Sequence, residues 1–445
     1  MLLAIIALYL LIGVILLFCR EGKFVLPYIL FLNFYSAWVT DLLFPLEPGQ
    51  QALFDGVSKY YTYFCFVVLY VTKRRVVKDY SLLYCFAVIV SYFVLLYTFR
   101  GIGPIVGLRF AVSTFGSVLF FFMLLYLLPT RQQVKRLIKW NLVIQLIIGG
   151  FQFLGFFHFH MNVGETFVGT FFLTGSFTRN NIYAEIISLL LILQCICDYK
   201  DLGKRTNMSR FFAFIVLAVV FATGVRTALI ADIVILALLF FVLRRNDVAS
   251  KVKYILGVTL LGVLLFSVYK TANEGAVIQD HEAGNPIERQ LNGVREISDR
   301  ENMEMSTIVL TIVLWDYFTT NPIFGPGMYY ASPTGYGGIV AEDTANTTDA
   351  TILFYMCETG LIGVLFFIMI YRLALRRYNN KKGAYIIFLY IMLISLTDEG
   401  FMGFSYMLFL YLIIYFDNFK SAISNRVNLI SNVISVPLKW GEFKY

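Results

Sequence analysis

The sequence predicts an all-α polytopic membrane protein with about twelve or thirteen transmembrane helices and one large loop on the outer side. Three observations support this prediction. Of the 445 residues, 59% are hydrophobic and only 14% are charged, whereas soluble domains hold about 25% charged residues. The mean hydropathy is +0.74. Apolar runs of about 15 to 25 residues recur along the chain, and a helix of that length crosses a bilayer.

The predicted spans follow one another from the first residue to the last third of the chain, each bounded by polar or basic residues. They are residues 1–19, 24–45, 57–73, 79–98, 110–129, 138–158, 181–199, 209–224, 226–243, 252–270, 350–371, 383–397 and 403–418.

Four regions result from this pattern. Residues 1–269 are spans with short loops, and residues 350–418 are the last spans. Residues 270–349 form the one polar stretch that is long enough to be a large outer loop, with helices that lie partly in the membrane. Residues 419–445 mix basic and apolar side chains, which predicts an amphipathic tail on the cytoplasmic leaflet.

The net charge of +8 is predicted to reflect membrane topology and not nucleic-acid binding. Most Lys and Arg residues fall in alternate loops. This is the distribution expected of a membrane protein, whose cytoplasmic loops carry an excess of Lys and Arg. All six cysteines lie in apolar runs, and no third ligand accompanies His158 and His160. The sequence therefore predicts no disulfide framework, no metal site and no cofactor.

A group of cationic residues is predicted on the outer side, where the topology rule disfavours them. Arginine contacts phosphate through two N–H groups at once and stays charged in a poorly hydrated site. The group as a whole therefore predicts a pyrophosphate site, although lipid headgroups or a salt bridge are alternatives for each member alone. The group consists of Lys59, Arg100, Arg109, Arg179, Arg226, Lys270, Arg289, Arg295 and Arg300.

Arg226 is the sharpest single candidate in this group. In "TGVRTALIAD" it begins a predicted span after a turn of two or three residues. The exposed N–H groups of a helix N-terminus attract anions, so Arg226 would reinforce an anion site. The alternative is an arginine that a neighbouring carboxylate neutralises.

Four segments resemble motifs of the O-antigen ligase/polymerase superfamily of bacterial envelope proteins, in the same order. "GSFTRNNIYAE" at 175–185 resembles G-x-F-x-x-x-N, and "GVRTALIAD" at 224–232 resembles the Ser-Arg-Thr start of a span. "NPIFGPG" at 321–327 resembles the P-x-x-G-x-G turn after the large loop. "DATILFYMCETGLIG" at 349–363 resembles the ligase pattern H-N-x9-G-x-x-G, with Gly360 and Gly363 in place.

Two departures distinguish this chain from the ligases. Asp349 and Ala350 stand where ligases carry His-Asn, and that histidine is their proposed catalytic residue. The departure favours the sister activity, the Wzy-type polymerase. The ligase arginine ahead of the lipid-facing helix has no unique equivalent, with Arg289, Arg295 and Arg300 as the candidates.

The resemblance implies a GT-C-like fold and an inverting, metal-independent glycosyltransferase. Such an enzyme polymerises repeat units of O-antigen, capsule or exopolysaccharide on the outer face of the bacterial cytoplasmic (inner) membrane, as a multi-pass protein whose active site faces outside. It transfers an undecaprenyl-pyrophosphate-linked chain to a hydroxyl of the next lipid-linked unit. Further partners would be membrane lipids and a chain-length regulator protein. The alternatives are a ligase that transfers polymer to lipid A-core and a non-enzymatic flippase of lipid-linked units.

The expected catalytic residues supply charge stabilisation and a base. Asp349 is the first candidate for the base and Glu358 the second, while Arg226 stabilises the departing pyrophosphate. Helix capping is the alternative for Asp349, and an ion pair with Arg226 is the alternative for Glu358. Sugar stacking is predicted for Tyr329, Tyr330 and Tyr336, with anchoring at the membrane interface as their alternative.

Overall fold

The structure is a computed structural model that describes part of the chain, and every regular element in that part is an α-helix. The described residues are 2–18, 23–46, 51–73, 80–154, 156, 173–177, 180–202, 207–223, 225–243, 315, 318–326, 351–376, 382–395 and 404–417. The predicted all-α fold is therefore confirmed.

The helices are numbered in chain order. They are α1 (Leu2–Phe18), α2 (Val25–Phe34), α3 (Ser36–Leu43), α4 (Gln51–Lys73), α5 (Ser81–Phe99), α6 (Pro104–Phe115), α7 (Ser117–Leu127), α8 (Arg131–Phe153), α9 (Asn180–Leu202), α10 (Asn207–Thr223), α11 (Arg226–Leu243), α12 (Thr351–Arg376), α13 (Lys382–Ile394) and α14 (Phe404–Asp417).

Several of these helices can cross a bilayer. Within the described residues, Ser81–Phe99, Asn181–Asp198 and Tyr355–Arg376 are each long and apolar enough, and two bent helix pairs raise the number from 3 to 5. Large apolar side chains on α1 and α5 face outward, with Phe99 86% and Leu3 78% exposed. Only lipid accommodates such a surface over many residues, so the chain is a polytopic membrane protein. The predicted span 252–270, most of the predicted loop 270–349 and the tail 419–445 lie outside the described residues.

Two predicted spans are each broken into two helices. The segment predicted as one span over 24–45 bends by 58° between α2 and α3, and α6 and α7 meet at 53° where one span over 110–129 was predicted. Polar groups of other elements contact the backbone next to each break. The Ser176 hydroxyl donates to the Phe34 carbonyl at 2.6 Å, and the Tyr63 hydroxyl donates to the Val112 carbonyl at 2.9 Å. Such donors make irregular backbone tolerable inside a membrane.

α9 lies at the centre of the helix bundle. Every side chain from Tyr183 to Asp198 is buried, and α9 packs against α8, α10, α11, α13 and α14. A helix with apolar side chains on every face has to be surrounded in this way. On another side of the bundle α5 packs against α6 and α12, and this contact carries the candidate active site.

Candidate active site

A tight turn at the end of α5 fixes the position of Arg100. The turn reads Arg-Gly-Ile-Gly-Pro, and both glycines adopt positive φ angles, of 73° and 117°, which are strained for residues with a side chain. The backbone N–H groups of Ile102 and Gly103 donate to the Tyr97 carbonyl. Pro104 is the first residue of α6, where proline is favoured. The sequence therefore places Tyr97 and Arg100 where α5 turns into α6.

α12 is broken inside the segment that resembles the ligase pattern. Gly360 has φ 66° and ψ −168°, which is not helical. Residues 321–326, called here the docked turn, fill the break. The backbone N–H of Leu361 donates to the Pro322 carbonyl at 2.9 Å, and that of Ile362 donates to the Ile323 carbonyl at 3.3 Å. The docked turn thus satisfies the first N–H groups of the second half of α12.

The docked turn and α12 are in contact because both carry glycine. A Cβ on Gly360 would overlap the carbonyl oxygen of Ile323 and lie 2.5 Å from the amide nitrogen of Gly325. Gly325 itself has φ 74°, and its N–H donates to the Asn321 carbonyl at 2.8 Å. The motifs at 321–327 and 349–363 are therefore two halves of one contact.

Arg100 holds this contact together from the end of α5. Its Nη2 donates to the carbonyls of Phe324 at 2.8 Å and Gly325 at 2.6 Å, and its Nη1 donates to the Glu358 carbonyl at 3.3 Å. The guanidinium also lies 5.8 Å from the centre of the Tyr97 ring. Arg100 therefore joins three elements: α5, the docked turn and the first half of α12.

Glu358 is fixed by its side chain as well as by its backbone. The Tyr97 hydroxyl donates a hydrogen bond to Glu358 Oε1, and Glu358 is only 1% exposed. A carboxyl group removed from water in this way requires hydrogen bonds from its surroundings. Tyr97 and Arg100 therefore hold the side chain and the main chain of one residue.

A second polar network surrounds the segment "TGSF" at 174–177, which overlaps the start of the first motif at Gly175. Gln152 Oε1 accepts the backbone N–H groups of Thr174 at 3.1 Å and Gly175 at 2.6 Å. The side-chain nitrogen of Gln145 donates to the Ser176 hydroxyl at 2.6 Å. These contacts attach the segment to α8 just ahead of the helix that begins at Asn180.

α11 begins at Arg226, where the sequence predicts the start of a span. Farther along α11, Asp232 is fully buried and its Oδ2 accepts the Ser188 hydroxyl of α9 at 2.6 Å. Its Oδ1 has no hydrogen-bond partner among the described residues. One turn away on α9, the buried Glu185 accepts a hydrogen bond from Tyr406. Two buried carboxyl residues, Glu185 on α9 and Asp232 on α11, thus lie inside the bundle.

The predicted site residues divide into four groups. Arg100 and Glu358 are brought together, while Arg109 lies exposed on α6. Arg226 is placed as the first residue of α11, and its side chain is not among those described. The other predicted site residues lie outside the described residues and stay predictions. They are Asp349, Arg179, Arg289, Arg295, Arg300, Tyr329, Tyr330 and Tyr336.

Two residues of the site do not stand out in the sequence. Tyr97 is one aromatic residue in a chain that is 17% aromatic, and only its spacing of three residues from Arg100 could have pointed to a shared helix face. Gln152 lies in an apolar run, where a polar side chain signals a buried contact but not its partner. Within the described residues no three His, Cys, Asp or Glu side chains lie close enough together to hold a metal ion.

Comparison with known protein families gives a match to part of the chain. Residues 211–368 match the family model described as O-antigen ligase. The matched range includes the motifs at 224–232, 321–327 and 349–363, and so it contains both halves of the contact between the docked turn and α12. The search of curated proteins and the search of solved structures each give no match.

Proposed function

We propose that this chain is a member of the O-antigen ligase/polymerase superfamily and a polymerase of lipid-linked oligosaccharide repeat units. The O-antigen ligase family model matches residues 211–368 of the 445. The family match supports ligase-type or polymerase-type function in general. Within that general function, the activity proposed for this chain is that of a glycosyltransferase. It would extend O-antigen, capsule or exopolysaccharide on the outer face of the cytoplasmic membrane.

The observation that carries the choice of polymerase is the residue pair Asp349 and Ala350. These residues stand where the ligase pattern has His-Asn, while Gly360 and Gly363 keep the ligase spacing. The structure supports the alignment, because Gly360 breaks α12 and receives the docked turn. A chain that keeps this glycine spacing and the docked turn but lacks the ligase histidine fits a related transfer reaction with a different acceptor.

The proposed reaction is a single displacement at the anomeric carbon of the donor chain. The acceptor hydroxyl loses its proton to the carboxylate of Asp349, and its oxygen forms a new bond to the anomeric carbon. The bond from that carbon to the pyrophosphate oxygen breaks, and the electron pair leaves with undecaprenyl pyrophosphate. Configuration at the anomeric carbon is inverted, and no redox change occurs.

The arginines have the second role in this proposal. The pyrophosphate gains charge as it departs, so the enzyme has to place cations at its oxygens before the reaction begins. Arg226 at the N-terminus of α11 combines a guanidinium with the N–H groups of a helix start. Arg109 and Arg179 are the further candidates, together with Arg289, Arg295 and Arg300 of the predicted loop.

Chain length in cells tests the proposal. Arg226→Ala and Arg179→Ala should each leave the protein level unchanged and yield cells with single repeat units only, because loss of one charge-stabilising donor typically slows such a reaction by roughly 100-fold. Asp349→Asn should give the same result, because an asparagine side chain can still cap a helix but cannot act as the base. Normal long chains from all three variants at normal protein level would contradict the proposal.

The ligase is the second candidate, since the matched family model carries that description. A ligase would transfer finished polymer to a lipid A-core acceptor. Its loss would leave long polymer on the undecaprenyl carrier, whereas loss of a polymerase leaves single units there. Analysis of the carrier-linked sugars in a deletion strain separates the two.

A further inference from the structure

The two contacts to Glu358 come from one helix turn. Tyr97 and Arg100 are three residues apart at the end of α5 and therefore lie on one face. Tyr97 holds the Glu358 carboxyl and Arg100 holds the Glu358 carbonyl. Holding both ends of one residue removes its freedom to shift along or rotate about the helix axis.

Glu358 is covered by the docked turn. A Cβ on Gly325 would lie 2.9 Å from the Glu358 carbonyl carbon and 2.7 Å from the Gly360 nitrogen. Glu358 is 1% exposed, so a sugar hydroxyl has no exposed surface of this residue to approach. A residue in this position can act on a reaction through what it holds in place.

Glu358 holds the first half of α12, residues 351–359. Gly360 interrupts the helix with a non-helical conformation, so continuous helical hydrogen bonding does not fix the first half relative to the second. The Tyr355 hydroxyl of the first half donates to the Gly363 carbonyl of the second half at 3.0 Å. The docked turn adds another link, because it accepts the N–H groups of Leu361 and Ile362 and is joined through Arg100 to the Glu358 carbonyl. In the sequence, Asp349 comes two residues before the first helical residue of this half.

We propose that Glu358 is a positioning residue and not the base, and that Tyr97 and Arg100 act through it to set the orientation of the half-helix that follows Asp349. The role assigned to Asp349 rests on the proposed function above. Arg100 donates its hydrogen bonds to backbone carbonyls and is a positioning residue as well. It therefore does not have the role of pyrophosphate ligand that the sequence predicts.

Glu358→Gln separates the two roles of Glu358. The amide oxygen of glutamine still accepts the hydrogen bond from Tyr97 but cannot take up a proton. In reconstituted vesicles with lipid-linked repeat units, this variant should lower kcat by about threefold, because a neutral acceptor weakens the bond. Glu358→Ala should lower kcat by about 10-fold, and Asp349→Asn by roughly 100-fold.

A double-mutant cycle tests the coupling between Tyr97 and Glu358. Tyr97→Phe removes the donor and should lower kcat by about 10-fold, equal to about 1.4 kcal/mol, with the KM for the donor unchanged. Combination with Glu358→Ala should cost no more than either change alone, because both remove one contact. Tyr84→Phe is the matched control, since Tyr84 lies on α5 and is 70% exposed.

Arg100→Lys distinguishes positioning from phosphate binding. One ammonium cannot bridge the carbonyls of Phe324, Gly325 and Glu358 as the planar guanidinium does, so kcat should fall while the KM for the pyrophosphate-linked donor stays the same. A rise in that KM at unchanged kcat would show instead that Arg100 contacts pyrophosphate.

Three further results would overturn the proposal. Glu358→Gln as inactive as Asp349→Asn would make Glu358 the base. Additive losses in the cycle, or a Tyr97→Phe variant equal to wild type, would show that Tyr97 does not act through Glu358. Wild-type protein that lengthens no chains would refute the proposed function instead. The double-mutant cycle can then be measured on the free energy of unfolding. Additive losses of stability in Tyr97→Phe and Glu358→Ala would refute the coupling between these two residues.

Discussion

Replacing Gly360 by alanine is expected to lower the free energy of unfolding by about 3 kcal/mol. Two costs contribute. Gly360 has φ 66° and ψ −168°, a region that almost only glycine occupies, and a residue with a Cβ there costs about 1–3 kcal/mol. The added Cβ would also overlap the carbonyl oxygen of Ile323, which displaces the docked turn and breaks the two backbone hydrogen bonds from Leu361 and Ile362. Each such bond contributes about 1 kcal/mol.

The assay is unfolding of the purified protein in detergent, followed by helix content. Gly150→Ala is the matched control, because Gly150 lies in α8 and a Cβ there meets nothing within 4 Å. Alanine is the better helix former, so this control should be neutral or stabilising. If Gly360→Ala unfolded like the wild type and like the control, the docking of residues 321–326 into the break would be refuted.

Two further changes test the polar contacts that hold the bundle. Gln152→Ala should destabilise by about 2 kcal/mol, because it leaves buried N–H groups of the "TGSF" segment without an acceptor, whereas exposed Gln132→Ala should be neutral in the same unfolding assay. Lys135→Ala should cost about 3 kcal/mol, because it removes the cation 2.8 Å from the buried Asp198 carboxylate; a loss no larger than that of exposed Lys139→Ala would contradict this.

Much of the fold can be read from the sequence because lipid imposes a simple rule on composition. Apolar segments predict helices, and the predicted span 226–243 coincides with α11. The predicted start at residue 138 is late, because α8 begins at Arg131, where Thr130 and Gln133 form a capping box. Hydropathy measures depth in the membrane and not helix length, so a helix that continues into water is cut short in such a prediction.

The broken helices are harder to predict. Tyr35, at the break between α2 and α3, is neither glycine nor proline, and the Ser176 contact that accompanies the break lies far away in the chain. At Gly360 the glycine was recognised as part of a motif, but its positive φ depends on the docked turn some 35 residues earlier. Long-range contacts that satisfy backbone groups leave no local periodicity to read.

The sequence predicts two residues of the candidate site but not the groups that they contact. The sequence singled out Arg100 and Glu358 by their unfavourable place in an apolar chain, and the structure brings them together. It could not reveal that Arg100 binds carbonyls, because an arginine looks the same beside phosphate and beside backbone oxygens. Tyr97 was missed because a tyrosine near a membrane surface has an ordinary explanation.

The most direct test of the central claim is reconstitution of the purified protein in vesicles with one substrate, the undecaprenyl-pyrophosphate-linked repeat unit. We expect a ladder of chains that differ by one repeat unit, with release of undecaprenyl pyrophosphate and no requirement for an added metal. Folded wild-type protein that leaves every unit single, or that forms product only when a lipid A-core acceptor is supplied, would contradict it.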